Sequence, residues 1–181
     1  MPDASTHGIP DRLHQLCLEL RSATSTLELL DVDGQVPSPL PIRKLLRHTV
    51  TAQTLATNTT RLADDLVSSI GAEPSKEQAK ALACMVTAVA QTSTAAHLFA
   101  RIAETAASPA HQPGTTHAES HNGRTLIDHA TGRRDLRRAS ESVQAAGQHL
   151  GDHHAYQRFL ADMRLPPGPP VMPRSPTTSR P

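Results

Sequence analysis

The sequence predicts an all-α fold, an antiparallel up-down four-helix bundle, and three observations lead there. Apolar residues recur at steps of three and four along four stretches, proline and glycine separate those stretches, and no run alternates with the two-residue period of a strand. No internal repeat is evident. A chain of 181 residues suits one domain with its own core. The expected organisation is a flexible N-terminus over 1–8, a helical domain over 9–165 and a disordered Pro-rich tail over 166–181.

The first helix opens at "GIPDRLHQL". Pro10 suits a first turn, where its missing N–H leaves nothing unpaired, and Asp11 sits beside the positive end of the helix dipole. Leu13, Leu16, Cys17, Leu20, Thr24, Leu27 and Leu30 then mark one face, and "DVDG" is expected to stop the helix, with Gly34 left-handed. The prolines of "QVPSPLP" make an extended connector. A second helix begins between Ser38 and Pro41, with Ile42, Leu45, Leu46, Ala52, Ala56, Ala63, Leu66, Val67 and Ile70 as its stripe. Its centre, "TVTAQTLATNTT", is rich in threonine, a poor helix former, so this helix rests on the periodicity at its flanks.

"IGAEPSKEQ" punctuates the chain. Gly71 can end helix two, and Ser75 with Gln78 has the spacing of a capping box for helix three, which should run to about Ala107. "SPAHQPGTTHAESHNGR" reads as a long loop. The last helix is expected from about Thr125 to Arg164, with Gly132 as an early kink. In "LPPGPPVMPRSPTTSRP" there is too much proline and too little apolar surface for packing.

Hydrophobic residues make up 37% of the chain and aromatics only 2%, so the core must be built from Leu, Val and Ala. The formal charge of +1 gives no whole-molecule field towards nucleic acid or an anionic membrane, and any charge signal must be local. Of the 18 basic residues 15 are Arg; with abundant Ala, Thr and Pro, this looks like the codon bias of a high-GC bacterial genome. Cys17 and Cys84 lack CxxC spacing, so a disulfide or Cys-based zinc site is not expected, and each reads as a small buried side chain. The N-terminus has no cationic start followed by an apolar run, which makes the expected location cytoplasmic.

Three features bear on function. "GRRDLRRAS" places Arg133, Arg134, Arg137 and Arg138 opposite the apolar stripe of Leu136, Ala139, Val143, Ala146, Leu150, His154 and Ala161, and so towards solvent. They read as a solubilising face, as a phosphate-binding ridge on nucleic acid, or as a match for an acidic patch on a protein. Against nucleic acid stand the missing helix-turn-helix and the missing aromatic platform. Eleven histidines raise metal binding: His149 and His153 stand four apart on the last helix, while "HAESH" does not have the spacing of HExxH. Satisfied interfacial histidines are the plainer reading.

Helix three is apolar on two sides. One stripe holds Leu82, Val86, Val89, Ser93, Ala96, Ala100 and Ala103, and the other holds Cys84, Ala88, Ala95, Leu98 and Ile102. The second stripe is expected to meet another copy or a protein partner, the alternative being that its small side chains are tolerated in water. Thr87, Gln91, Thr92, Ser93 and Thr94 interrupt the run, so no membrane span is expected. No nucleophile with its base, carboxylate dyad or phosphate loop stands at recognisable spacing, which points away from an enzyme and from any cofactor.

"LRSATSTLELL", the Pro-marked connector, "RKLLRHTVTAQTLA" and the Pro-rich end together resemble small uncharacterised helical proteins of actinobacteria, over residues 10 to 165. The resemblance implies a helical fold and no catalytic residue. Some such proteins travel on mobile elements, which implies accessory roles in replication, transfer or regulation. The expected function is therefore a non-catalytic helical binding or scaffolding module, with a nucleic-acid-associated accessory protein using the arginine ridge as the alternative.

Overall fold

Proline and capping residues divide the chain into four helices: α1 (Ile9–Thr26), α2 (Ile42–Ser69), α3 (Lys76–Ala107) and α4 (His117–Arg164), with no strand among the described residues. The computed structural model describes residues 8–31, 33–37, 39–108 and 117–164, the side chains of 117–122 and 164 excepted. The expected Pro-rich tail and nearly all of the expected N-terminal segment lie outside them.

α1 carries Pro10 and Asp11 in its first turn, as the sequence suggested, but ends four residues sooner than expected. Thr24, Ser25 and Thr26 turn their hydroxyls back onto backbone carbonyls of the last turns. The chain then folds Leu27 and Leu29 into the core, and Asp31 closes a turn by accepting from the backbone of Asp33 and Gln35. Gly34 does take the left-handed conformation, with φ +73°.

α2 keeps its threonines helical by the same hydroxyl contacts. Thr49, Thr54, Thr57, Thr59 and Thr60 each donate to the carbonyl four residues back, so Thr49 and Thr59 enter the core without an unpaired hydroxyl. The Ser75–Gln78 capping box opens α3 in both directions. α4 starts at His117, eight residues before the expected Thr125, so only part of the expected loop is a connector. Gly132 does not divide α4. It is buried, and a Cβ there would stand 3.1 Å from the Phe99 ring, so glycine permits a close approach of α3 to α4.

The core follows a 3.5-residue rhythm. On α3 it runs Ala81, Met85, Ala88, Thr92, Ala95, Phe99, Ile102, and on α4 Leu136, Ala139, Val143, Ala146, Leu150. Alternating steps of four and three are the seam of coiled-coil-like bundles, where side chains of one helix fill holes of the next. α3 and α4 share the most extensive interface, α2 packs on α3 and α1 on α4, and α1 and α2 share a smaller one. Three of the seven α3 seam residues are alanine, which brings backbones close there and contributes little area per side chain.

This register corrects two expected stripes. On α2, Ile42, Leu46 and Val67 are exposed, and His48, Thr49, Leu55, Thr59 and Leu62 are buried in their stead. On α3, the second stripe is not left for a partner: Ala88, Ala95, Leu98 and Ile102 are core, and Cys84 is half-buried beside them. By length and composition α3 is the one described helix that meets the requirement for a membrane span, and 33% of that stretch is buried in the bundle.

Candidate functional site

The arginine ridge divides. Arg133 turns inward: its Nε donates to the carbonyl of Thr24 at 3.0 Å and its Nη1 pairs with Glu28 Oε2 at 2.6 Å. α1 has no basic residue in its last turn, so Arg133 supplies from α4 the charge and donor that a helix C-terminus favours. Burial raises the Glu28 carboxyl, but the Arg133 charge and backbone donors from Leu29 and Leu30 outweigh it and hold it below the usual carboxylate value. Arg133 is thus corrected from ridge to clamp. Arg134 lies 3.5 Å from Asp135 and, like Arg137 and Arg138, is exposed.

Behind the clamp lies a buried cluster drawn from three helices. His48 of α2, Phe99 of α3 and His129 of α4 meet with ring centroids 5.3 to 6.2 Å apart, Phe99 edge-on to both imidazoles. Nδ1 of His48 and Nε2 of His129 have no hydrogen-bond partner among the described residues. Burial lowers both pKa values. The cationic neighbours Lys44, Arg47 and Arg133 lower His48 further; His48, Arg133 and Lys44 do the same to His129, which falls to about 4, with Glu28 opposing in each case. Both rings are therefore neutral near pH 7.

At the other end of the α3–α4 interface, the expected His149–His153 pair separates. His153 Nδ1 lies 3.0 Å from Ser75 Oγ, the cap of α3. His149 Nδ1 lies 2.8 Å from Glu77 Oε2, and Asp152 brings its carboxylate within 4.8 Å of both. Lys80 holds the other Glu77 oxygen at 2.7 Å, and its hydrogen bond is the main reason the Glu77 carboxyl sits below its ordinary value.

Beyond His154, α4 leaves the bundle. Pro10 of α1 lines a groove with Gly147 and Gln148, and the α3 cap meets α4 at His153, so positions 155–164 extend past the start of both neighbours. Tyr156, Phe159 and Met163 recur there at steps of three and four and are 59%, 58% and 62% exposed. Leu160 beside them is half-buried. Two of the three aromatic residues of the chain thus stand in water on one strip of helix.

Comparison of the chain with protein families, with curated proteins and with solved structures gives no match.

Proposed function

We propose that the protein is a non-catalytic helical binding module that associates with a second copy of itself through the projecting end of α4. The observation that carries this reading is the exposed strip of Tyr156, Phe159 and Met163. It moves the docking face from α3, where the sequence placed it, to a helix end open for an isologous two-fold contact, in which the same strip serves both copies. We read the bundle itself as antiparallel and up-down. Its cross-links support that order: Ser75 with His153, Gln91 with Ser142 and Arg101 with Asp128 between α3 and α4, and Cys17 with Ser140 and Thr24 with Arg133 between α1 and α4. The non-catalytic reading draws on the α1–α4 groove, which His14 and Cys17 line: there the Cys17 thiol donates to the Ser140 carbonyl, an inert placement for a nucleophile.

Covering three such side chains on each copy, at roughly 1–2 kcal/mol apiece, yields about 6–12 kcal/mol against an association cost of about 4–15 kcal/mol. The dimer is therefore weak and concentration-dependent. Light scattering over a concentration series should show the mass rising from monomer to dimer, at low and high salt alike. The variant Tyr156→Ser/Phe159→Ser/Met163→Ser should stay monomeric with unchanged helical circular dichroism. A wild-type monomer at the highest attainable concentration, or a dimer that the triple variant retains, overturns the proposal.

A further inference from the structure

The cluster at the start of α3 carries an inference independent of self-association. Glu77, His149 and Asp152 place one imidazole nitrogen and two carboxylate oxygens within 4.8 Å of one another, on two different helices. One imidazole with two carboxylates is a donor set for a borderline divalent cation, and three protein ligands leave room for water. A hydrogen bond between His149 and Glu77 explains two members of the group. Asp152, one helical turn beyond His149 on α4, adds a second carboxylate to that pair.

We propose that Glu77, His149 and Asp152 form a site for a divalent transition-metal ion of the zinc class that ties the first turn of α3 to α4. The ligands are already oriented. Lys80 Nζ engages Glu77 Oε1 and leaves Oε2 towards His149, so the ion takes Oε2 without displacing the lysine. Ser75 holds His153 outside the ligand set. Donors about 2.0–2.2 Å from a zinc ion stand about 3–4 Å from each other, so Asp152 must close in by up to about 1 Å, while the His149–Glu77 pair, 2.8 Å apart, opens slightly as the proton between them passes to solvent. Asp152, exposed on α4, can supply that contraction by side-chain rotation alone.

The test is calorimetric titration of Zn²⁺ into the chelator-treated full chain, with Asp152→Asn and His149→Ala beside wild type. One saturable equivalent is expected for wild type, weakened about tenfold or more by either substitution. Zn²⁺ at a hundredfold excess over Kd should raise the wild-type Tm by about 5–10 °C and that of Asp152→Asn by much less. Because the Asp152 side chain is exposed, its variant keeps the fold and the comparison stays interpretable if His149→Ala does not. No saturable binding by wild type overturns the site. So does equal affinity in wild type and both variants, which would assign the ion to other histidines of the chain.

Discussion

Arg133 does at the end of α1 what no residue of α1 does for itself. One guanidinium serves a free carbonyl, at Thr24, and a carboxylate, at Glu28, and only a planar fork reaches both at once. Arg133→Gln should therefore lower stability by about 1–2 kcal/mol, with Arg133→Lys recovering only part, while Arg137→Gln stays within about 0.5 kcal/mol of wild type. Urea midpoints of the three variants check this, and equal effects at positions 133 and 137 would reduce the clamp to a surface contact. The sequence places Arg133 on the same broad side as its three neighbours, and it gave no sign of the difference among them. That difference comes from Glu28, which lies outside α1 because the helix stops at Thr26 and the chain turns back.

At the scale of the helix, the caps of α1 and α3 and the core faces of α1 and α4 were legible, whereas the end of α1, the start of α4 and the register of α2 and α3 were not. The Ser75–Gln78 box and Pro10 are local chemistry, complete within a few residues, and the structure has both. α3 is apolar nearly all round, so several seams one residue apart fit its sequence equally well, and only the facing α2 and α4 select Ala81, Met85, Ala88, Thr92, Ala95, Phe99 and Ile102. The glycines of α4 separate the two kinds of information. At Gly151, where nothing stands within 4 Å of a Cβ, Gly151→Ala should stabilise by about 0.5–1 kcal/mol through helix propensity alone. At Gly132 the Cβ would meet Phe99, a ring 1% exposed and pinned edge-on by His48 and His129, which has no room to retreat. Gly132→Ala should lose about 1 kcal/mol or more, since overpacking outweighs the same propensity gain. Thermal melts of the pair give opposite signs if the α3–α4 approach is as close as the contact implies.

Across the whole molecule, the two histidine clusters show why sites were harder to read than elements. His149 and His153 share a helix face at a spacing any sequence displays, yet their partners, Glu77 and Ser75, lie 72 and 78 residues away. His48 and His129 look unrelated until α2 and α4 both pack against Phe99. That packing couples global stability to pH. His129 titrates near 6.5 when exposed and at about 4 in the fold, so between those values the unfolded chain binds the proton and the native chain does not. Stability is complete above about pH 6.5 and declines as pH falls towards 4, and His48, lowered by the same burial, adds to the decline. Between pH 7.5 and 5 the loss from His129 alone is about 2 kcal/mol. The depressed Glu28 and Glu77 carboxyls stay ionised over that interval and contribute only at lower pH. His129→Leu, which also removes an unpaired buried nitrogen, should leave stability at pH 7.5 unchanged or higher and abolish more than half of the decline. Urea midpoints of wild type and variant at the two pH values decide it: parallel declines would mean that the acid sensitivity lies elsewhere than in the buried ring at the centre of the α2–α3–α4 junction.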